Sequence, residues 1–282
     1  MLVARFFVLQ DKNVATGKPW SYDELLIAMN LYCKLPFGQL RHGNSLVIAV
    51  AGKMGRTPSS LSMKLCNLAS LDPYHQARGV KGLSSTSKGD REIWAAFNAD
   101  WEGLGVASEE RLEALLGGAS QGQIAPDKGA TQQLRVLKLP QRIPTGPTEN
   151  TQMTKARLGQ NFFRQSVLAS YNSRCCITGN PVPELLVASH ILPWSEFPEQ
   201  RLNPRNGLCL AKTQDAAFDR KLITFDEDFR LVIGSRLREF LPSEALEREF
   251  LVYEGRPLQM PDKFLPDGEF VRRHRGCVTG SG

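Results

Sequence analysis

Apolar residues between positions 18 and 72 recur at helical spacing in three blocks. Leu25, Ala28, Met29, Tyr32 and Leu35 share one face of a first helix, with Ser21 as N-cap and Pro36 and Gly38 as its end. Val47, Val50, Ala51 and Met54 mark a second over residues 45–54, stopped by Gly55. Thr57-Pro58 supplies a cap and a first-turn proline for a third, whose stripe is Leu61, Leu65 and Leu68. After a loop marked by Pro73, Gly79 and Gly82, residues 87–101 repeat the pattern with Ile93, Trp94, Phe97 and Trp101. The two tryptophans read as core, and a short helix over 109–116 closes this part.

The pattern then breaks. Gly117, Gly118, Gly122, Gly129, Pro140, Pro144 and Pro147 lie among Ser, Thr and Gln, so 117–150 reads as a flexible linker that stiffens where the prolines cluster. A strand over 134–139 is the one element it allows. Its length predicts two halves that move independently. Helical spacing returns over 151–170 with Phe162, Phe163, Val167 and Leu168. Shorter apolar runs follow at 186–191 and 207–210, then a hairpin of 222–225 and 230–233 around Asp226-Glu227-Asp228. Ser243 offers half a capping box, and 253–275 reads as a basic, loop-rich tail. The class is α+β, with a helical domain at 1–116, a linker at 117–150 and a mixed domain at 151–282.

Composition adds limits. The chain has 282 residues, 41% of them hydrophobic and 23% charged, in the range of globular proteins. No apolar run reaches the ~20 residues that span a bilayer, and the apolar start is too short for a secretory signal. The expected location is the cytoplasm, away from membranes. Six cysteines without a C-x-x-C pair suit reduced, buried thiols better than a four-thiolate zinc site. The net charge of +6 divides evenly, +2 for each of the three segments, so no one domain is basic. Residues 151–282 hold 14 Arg against 4 Lys, a bias that suits phosphate through the planar guanidinium fork and equally suits solvated helix faces.

In the helical domain Trp20, Glu24-Leu25, Tyr32, Gly55-Arg56-Thr57, Ser60 and Lys64-Leu65 give a helix-turn-helix outline that loosely resembles the tri-helical Myb and SANT type of DNA-binding unit. The resemblance implies that Arg56, Ser60, Lys64 and Asn67 face DNA. The alternative is a small helical bundle that only packs or binds protein.

The richest stretch reads Cys176-Ile177-Thr178-Gly179, Ala188-Ser189-His190-Ile191-Leu192-Pro193-Trp194, Asn203-Pro204-Arg205-Asn206-Gly207-Leu208-Cys209-Leu210 and Ala217-Phe218-Asp219-Arg220. Taken in order, these segments resemble the HNH nuclease family and its ββα-metal fold, with Cys176 to Gly179 at the start of the first strand. The resemblance implies a water-activating base at His190 and an asparagine, Asn206, that ties the loop to the strands. It places the family's metal-binding histidine at Gln214, and Ser189 where related nucleases often have Asp. Asp215 and Asp219 stand four residues apart, on one face of a helix, and are the candidate replacement ligands. An oxygen-rich set favours Mg²⁺ or Mn²⁺. Without the surrounding pattern, His190 would read as a satisfied core histidine and Asp215 as a carboxylate complementing a helix dipole. Arg205 and Arg220 are further candidate DNA contacts, as is His274 among Arg272, Arg273 and Arg275 for phosphate.

The expectation is therefore a metal-dependent DNA endonuclease in a restriction or phage-defence role, acting on double-stranded DNA. One site per chain implies two visits, or a homodimer, to cut both strands. The alternative is a DNA-binding or assembly protein whose nuclease site is degenerate at Gln214 and Ser189.

Overall fold

The computed structural model describes residues 17–79, 86–117 and 149–279. The expected linker, apart from its helical ends, and the strand at 134–139 lie outside the described residues.

Helix α1 (Tyr22–Lys34) begins where the cap chemistry puts it. Ser21 Oγ accepts the Glu24 N–H while Glu24 returns a carboxylate to the Ser21 N–H. From Leu25 to Lys34 every residue is buried. A helix enclosed on all sides is a core rod, and α2 (Ser45–Lys53), α3 (Pro58–Ala69), α4 (Pro73–Ala77), α5 (Lys88–Ala99), α6 (Trp101–Gly117) and α7 (Glu149–Ser170) assemble on and beside it. Three elements differ from the sequence reading. Residues 73–77 form a helix, capped by Asp72. The helix expected at 87–101 breaks at Asp100, and α6 then starts at Trp101 rather than at 109.

Several polar groups of α1 are paired with its neighbours. Asn30 Nδ2 donates to Ser108 Oγ at 2.7 Å and Glu109 Oε1 at 2.9 Å, and Glu109 also holds Lys34. Burial overturns the DNA-facing assignment of three residues in the helix-turn-helix outline. Arg56 is buried, paired twice with Glu24 at 2.8 Å, bonded to the Lys18 and Pro19 carbonyls and laid over Trp20. Lys64 is buried on Asp90, and Asn67 Nδ2 reaches the same carboxylate at 3.5 Å. A buried cation needs its counter-charge, so these side chains are struts between α1, α3 and α5. Ser60 is half-buried, and its N–H is taken by the Thr57 cap.

The second half carries β1 (Leu186–His190) and β2 (Gly207–Ala211), antiparallel with Leu186 opposite Ala211 and His190 opposite Gly207. Helix α8 (Lys212–Asp219) follows β2 directly. Both strands contact α7 and α8, and every residue of β2 is buried. Residues 176–179, expected as the start of a strand, form a turn closed by Gly179 N–H to Cys175 O at 2.8 Å, with Gly179 at φ 73°. The predicted hairpin is present as β3 (Ile223–Phe225) and β4 (Leu231–Ile233). Short helices α9 (Ser235–Arg238) and α10 (Glu244–Glu249) follow, and Ser243 Oγ caps the latter. The tail ends in α11 (Gly268–Thr279), which packs on β3. His274 is buried there, not offered to phosphate. It stacks on Phe218 at 3.7 Å, and the Phe218 carbonyl obliges Nε2 to donate, so Nδ1 accepts from Thr224. Burial pushes its pKa down to about 3.

The halves interlock, in contrast to the independent motion predicted from the linker. Lys263 is fully buried and donates to the carbonyls of Tyr32, Cys33 (2.8 Å) and Leu35 (2.7 Å) at the C-terminal end of α1. Its neighbour Phe264 sits among Tyr32, Trp94 and Trp101, with its N–H on Asp72. Helix ends leave carbonyls unsatisfied, and here a lysine from more than two hundred residues away satisfies them. Replacing Lys263 with Met keeps bulk but strands those buried acceptors; the expected loss is about 3–5 kcal/mol of unfolding free energy, read by urea denaturation.

Candidate active site

His190 ends β1, with its ring stacked on Phe163 of α7 at 3.8 Å and 9° and edge-on to Trp194 at 5.4 Å. Nε2 lies 2.9 Å from the Arg201 carbonyl oxygen. A carbonyl only accepts, so Nε2 carries the proton and Nδ1 keeps its lone pair in the neutral ring. Nδ1 takes no hydrogen bond from the described residues. Burial, chiefly, lowers the pKa below 6.5, against the Arg201 carbonyl and the Asp219 carboxylate, which both pull it up. The histidine is thus neutral at pH 7. A shallow cavity of about 290 Å³ opens beside it, lined by Gln160, Arg164, Val187 and Trp194 among others.

The loop from Ile191 to Asn206 supplies that carbonyl, and Asn206 staples it. Asn206 Oδ1 accepts the Leu192 N–H at 2.8 Å; Nδ2 donates to the carbonyls of Leu192 (3.3 Å) and Gln200 (3.1 Å). The Ile191 N–H returns to the Asn206 carbonyl at 2.9 Å. Arg201 Nε donates to the Trp194 carbonyl at 2.8 Å, a second cross-tie.

Helix α8 brings Asp219 near enough to act on the histidine and Asp215 near Ser189. Burial and then, among smaller effects, Asp219 raise the Asp215 pKa. Ser189 Oγ is buried with no hydrogen-bond partner of ordinary geometry, yet lies near enough to Asp215 to oppose that rise. Gln214 is buried and turned elsewhere, its Nε2 donating to the carbonyl and carboxylate of Glu249, both at 3.1 Å. Arg205 is exposed and paired with Asp267 at 3.3 Å, and Arg220 is exposed with its guanidinium on the Ala216 carbonyl. His190, Asn206, Ser189, Asp215 and Asp219 therefore share one region, while the helical residues Arg56, Ser60, Lys64 and Asn67 belong to the other half.

Two strands, the stapled loop and a helix carrying carboxylates make a ββα unit, and residues 175–226 match the family model described as HNH endonuclease. This segment is an HNH endonuclease domain. No curated protein matches the chain. The HNH family is one of nucleases, so nucleic acid is the substrate class the domain implies.

The match to the HNH family implies a divalent metal. Among the described residues no three His, Cys, Asp or Glu side chains are grouped to hold one. Besides the Arg201 carbonyl, the oxygens of this region are Asp219, which acts on the histidine, Asp215, which Asp219 repels, and the Ser189 hydroxyl near Asp215. That set fits a hard, water-rich cation, which commonly takes one or two carboxylates and completes its shell with water and substrate phosphate. It does not fit a closed cage of protein ligands.

Three contributors to the HNH site have no motif of their own: Phe163 under the histidine, the Arg201 carbonyl and Glu249 on Gln214. Gly207, within the segment of Asn206, contributes by having no side chain. A Cβ at Gly207 would lie 2.3 Å from Val167 Cγ2 and 3.0 Å from Phe163 Cζ, so β2 can approach α7 only with glycine opposite His190. Gly207→Ala is expected to cost about 1–3 kcal/mol by overpacking, measured by urea unfolding.

Proposed function

We propose that the protein is a metal-dependent endonuclease that hydrolyses phosphodiester bonds of double-stranded DNA. The observation that carries this is the His190 ring, neutral by burial, with Nε2–H committed to Arg201 and Nδ1 open. Nδ1 takes a proton from water as that water's oxygen attacks phosphorus and the bond to the leaving sugar oxygen breaks. Nε2–H on a carbonyl and the nearby Asp219 charge stabilise the imidazolium that results. Asn206 keeps the loop, and so the acceptor, in place. Asp215 and Asp219, with Ser189, would hold Mg²⁺ or Mn²⁺, which supplies neutralisation of the phosphate and of the leaving oxygen. The amide of Gln214 is held by Glu249, so any contribution from it would come through its carbonyl oxygen. Arg205 and Arg220 stand exposed, where they would meet the DNA backbone.

A restriction or phage-defence role suits a cutting domain built into a larger helical body, with two chains meeting on DNA to cut both strands. No helix among the described residues is long and apolar enough to cross a membrane; the proposed place of action is the cytoplasm, where DNA would be met. One observation favours a second reading, a DNA-binding or assembly protein without cleavage: the position of the family's metal-binding histidine is a glutamine engaged with Glu249.

A plasmid-nicking assay separates the two. With Mg²⁺ or Mn²⁺ the wild type is expected to nick supercoiled DNA, and His190→Ala to lose at least about a hundredfold in rate. Equal traces from both proteins with every metal would sink the nuclease reading. The pH profile follows from the histidine's direction of shift. A base must be deprotonated, so the rate falls as pH drops through its pKa. Because burial lowers that pKa, the acidic limb should have its midpoint below 6.5.

A further inference from the structure

Leu202, next to the residue whose carbonyl holds His190, is fully buried between two helices at glycines. A Cβ on Gly105 of α6 would stand 3.0 Å from Leu202 Cδ1 and 3.2 Å from Phe162 Cδ1. A Cβ on Gly159 of α7 would stand 3.1 Å from both Leu202 Cδ1 and Cδ2, and 3.6 Å from Val106 Cγ2 of α6. The leucine is therefore gripped from both sides and cannot yield to one helix without meeting the other. Gly159 and Phe163 are four residues apart on α7 and so share a face: one seats Leu202, the other stacks on His190. On α6, Glu102 stands three residues before Gly105 and faces Arg201, whose charge lowers the glutamate pKa against the rise caused by burial. The Arg201 guanidinium is tied again through Nε to the Trp194 carbonyl and lies over the Trp194 ring at 5.2 Å.

We infer that Leu202 is a positioning residue for His190, and that the Gly105–Gly159 seat makes the helical half part of the catalytic unit. Its backbone fixes the adjoining Arg201 carbonyl, the carbonyl fixes Nε2–H, and the open nitrogen is thereby aimed. The inference deepens the reading of His190 as base and rests on it for its effect on rate. The physical arrangement itself can be read without cleavage.

The test uses the full chain with Gly105→Ala, Gly159→Ala and Leu202→Ala. Glycine to alanine inside a helix otherwise favours folding, so the first two variants isolate crowding at the seat from loss of helix. The His190 Nε2–H signal is followed by nitrogen-edited NMR, and plasmid nicking by steady-state kinetics. In all three the Nε2–H proton is expected to exchange faster with solvent. The kcat should fall by about ten- to a hundredfold with KM for DNA little changed. Adding Leu202→Val to Gly159→Ala makes room and should recover much of both signals. Wild-type exchange and wild-type kcat in the folded alanine variants would overturn the inference, as would a loss confined to KM. A wild type that cuts nothing, while Nε2–H still responds to the seat, would defeat the nuclease reading and leave the positioning role standing.

Discussion

One hydrogen bond, from His190 Nε2–H to the Arg201 carbonyl, decides what the histidine can do. A carbonyl cannot donate, so the neutral ring has one tautomer and its open nitrogen is Nδ1. Much of the second half serves that contact. Asn206 closes the loop on itself with three bonds, Phe163 backs the ring, and Gly207 lets the neighbouring strand come close enough for that backing. The same burial that orients the imidazole removes water from it and lowers its pKa. Orientation and protonation state thus have one cause.

The helical half is tied to this arrangement by polar groups in the core. Lys263 closes the C-terminal end of α1, and burial pulls its pKa down to about 7. Phe264 keeps φ at 53°, a conformation that bulky residues adopt only when their surroundings dictate it. Three aromatic rings and Asp72 supply those surroundings. Arg56, Lys64 and Asn67 belong to the same kind of internal bracing. Their cost in desolvation is offset by Glu24 and Asp90, and none is left to reach a phosphate.

Local chemistry in this chain was legible and long-range partnership was not. Ser21 and Thr57 cap their helices because capping needs only a side-chain oxygen and the next few amides. The hairpin at 223–233 follows from alternation and a polar turn. The ordered segments around His190 were enough to identify the nuclease family. Burial of Arg56 and Lys64 was not visible, because a basic residue beside an apolar stripe looks the same whether its partner is an acid on another helix or a phosphate. The Arg201 carbonyl carries no side-chain signature at all. Asp100 interrupts a stripe that runs unbroken in sequence, and the basic tail hid both α11 and the plug at 263–264, whose partners lie far back in the helical half.

The most direct measurement is the titration of His190 in the wild-type protein by nitrogen-15 NMR. A neutral ring protonated at Nε2 at pH 7, becoming imidazolium only below 6.5, is the predicted result. A ring protonated at Nδ1, or an imidazolium persisting above pH 7, would contradict the account, since neither leaves Nδ1 free to accept a proton from water.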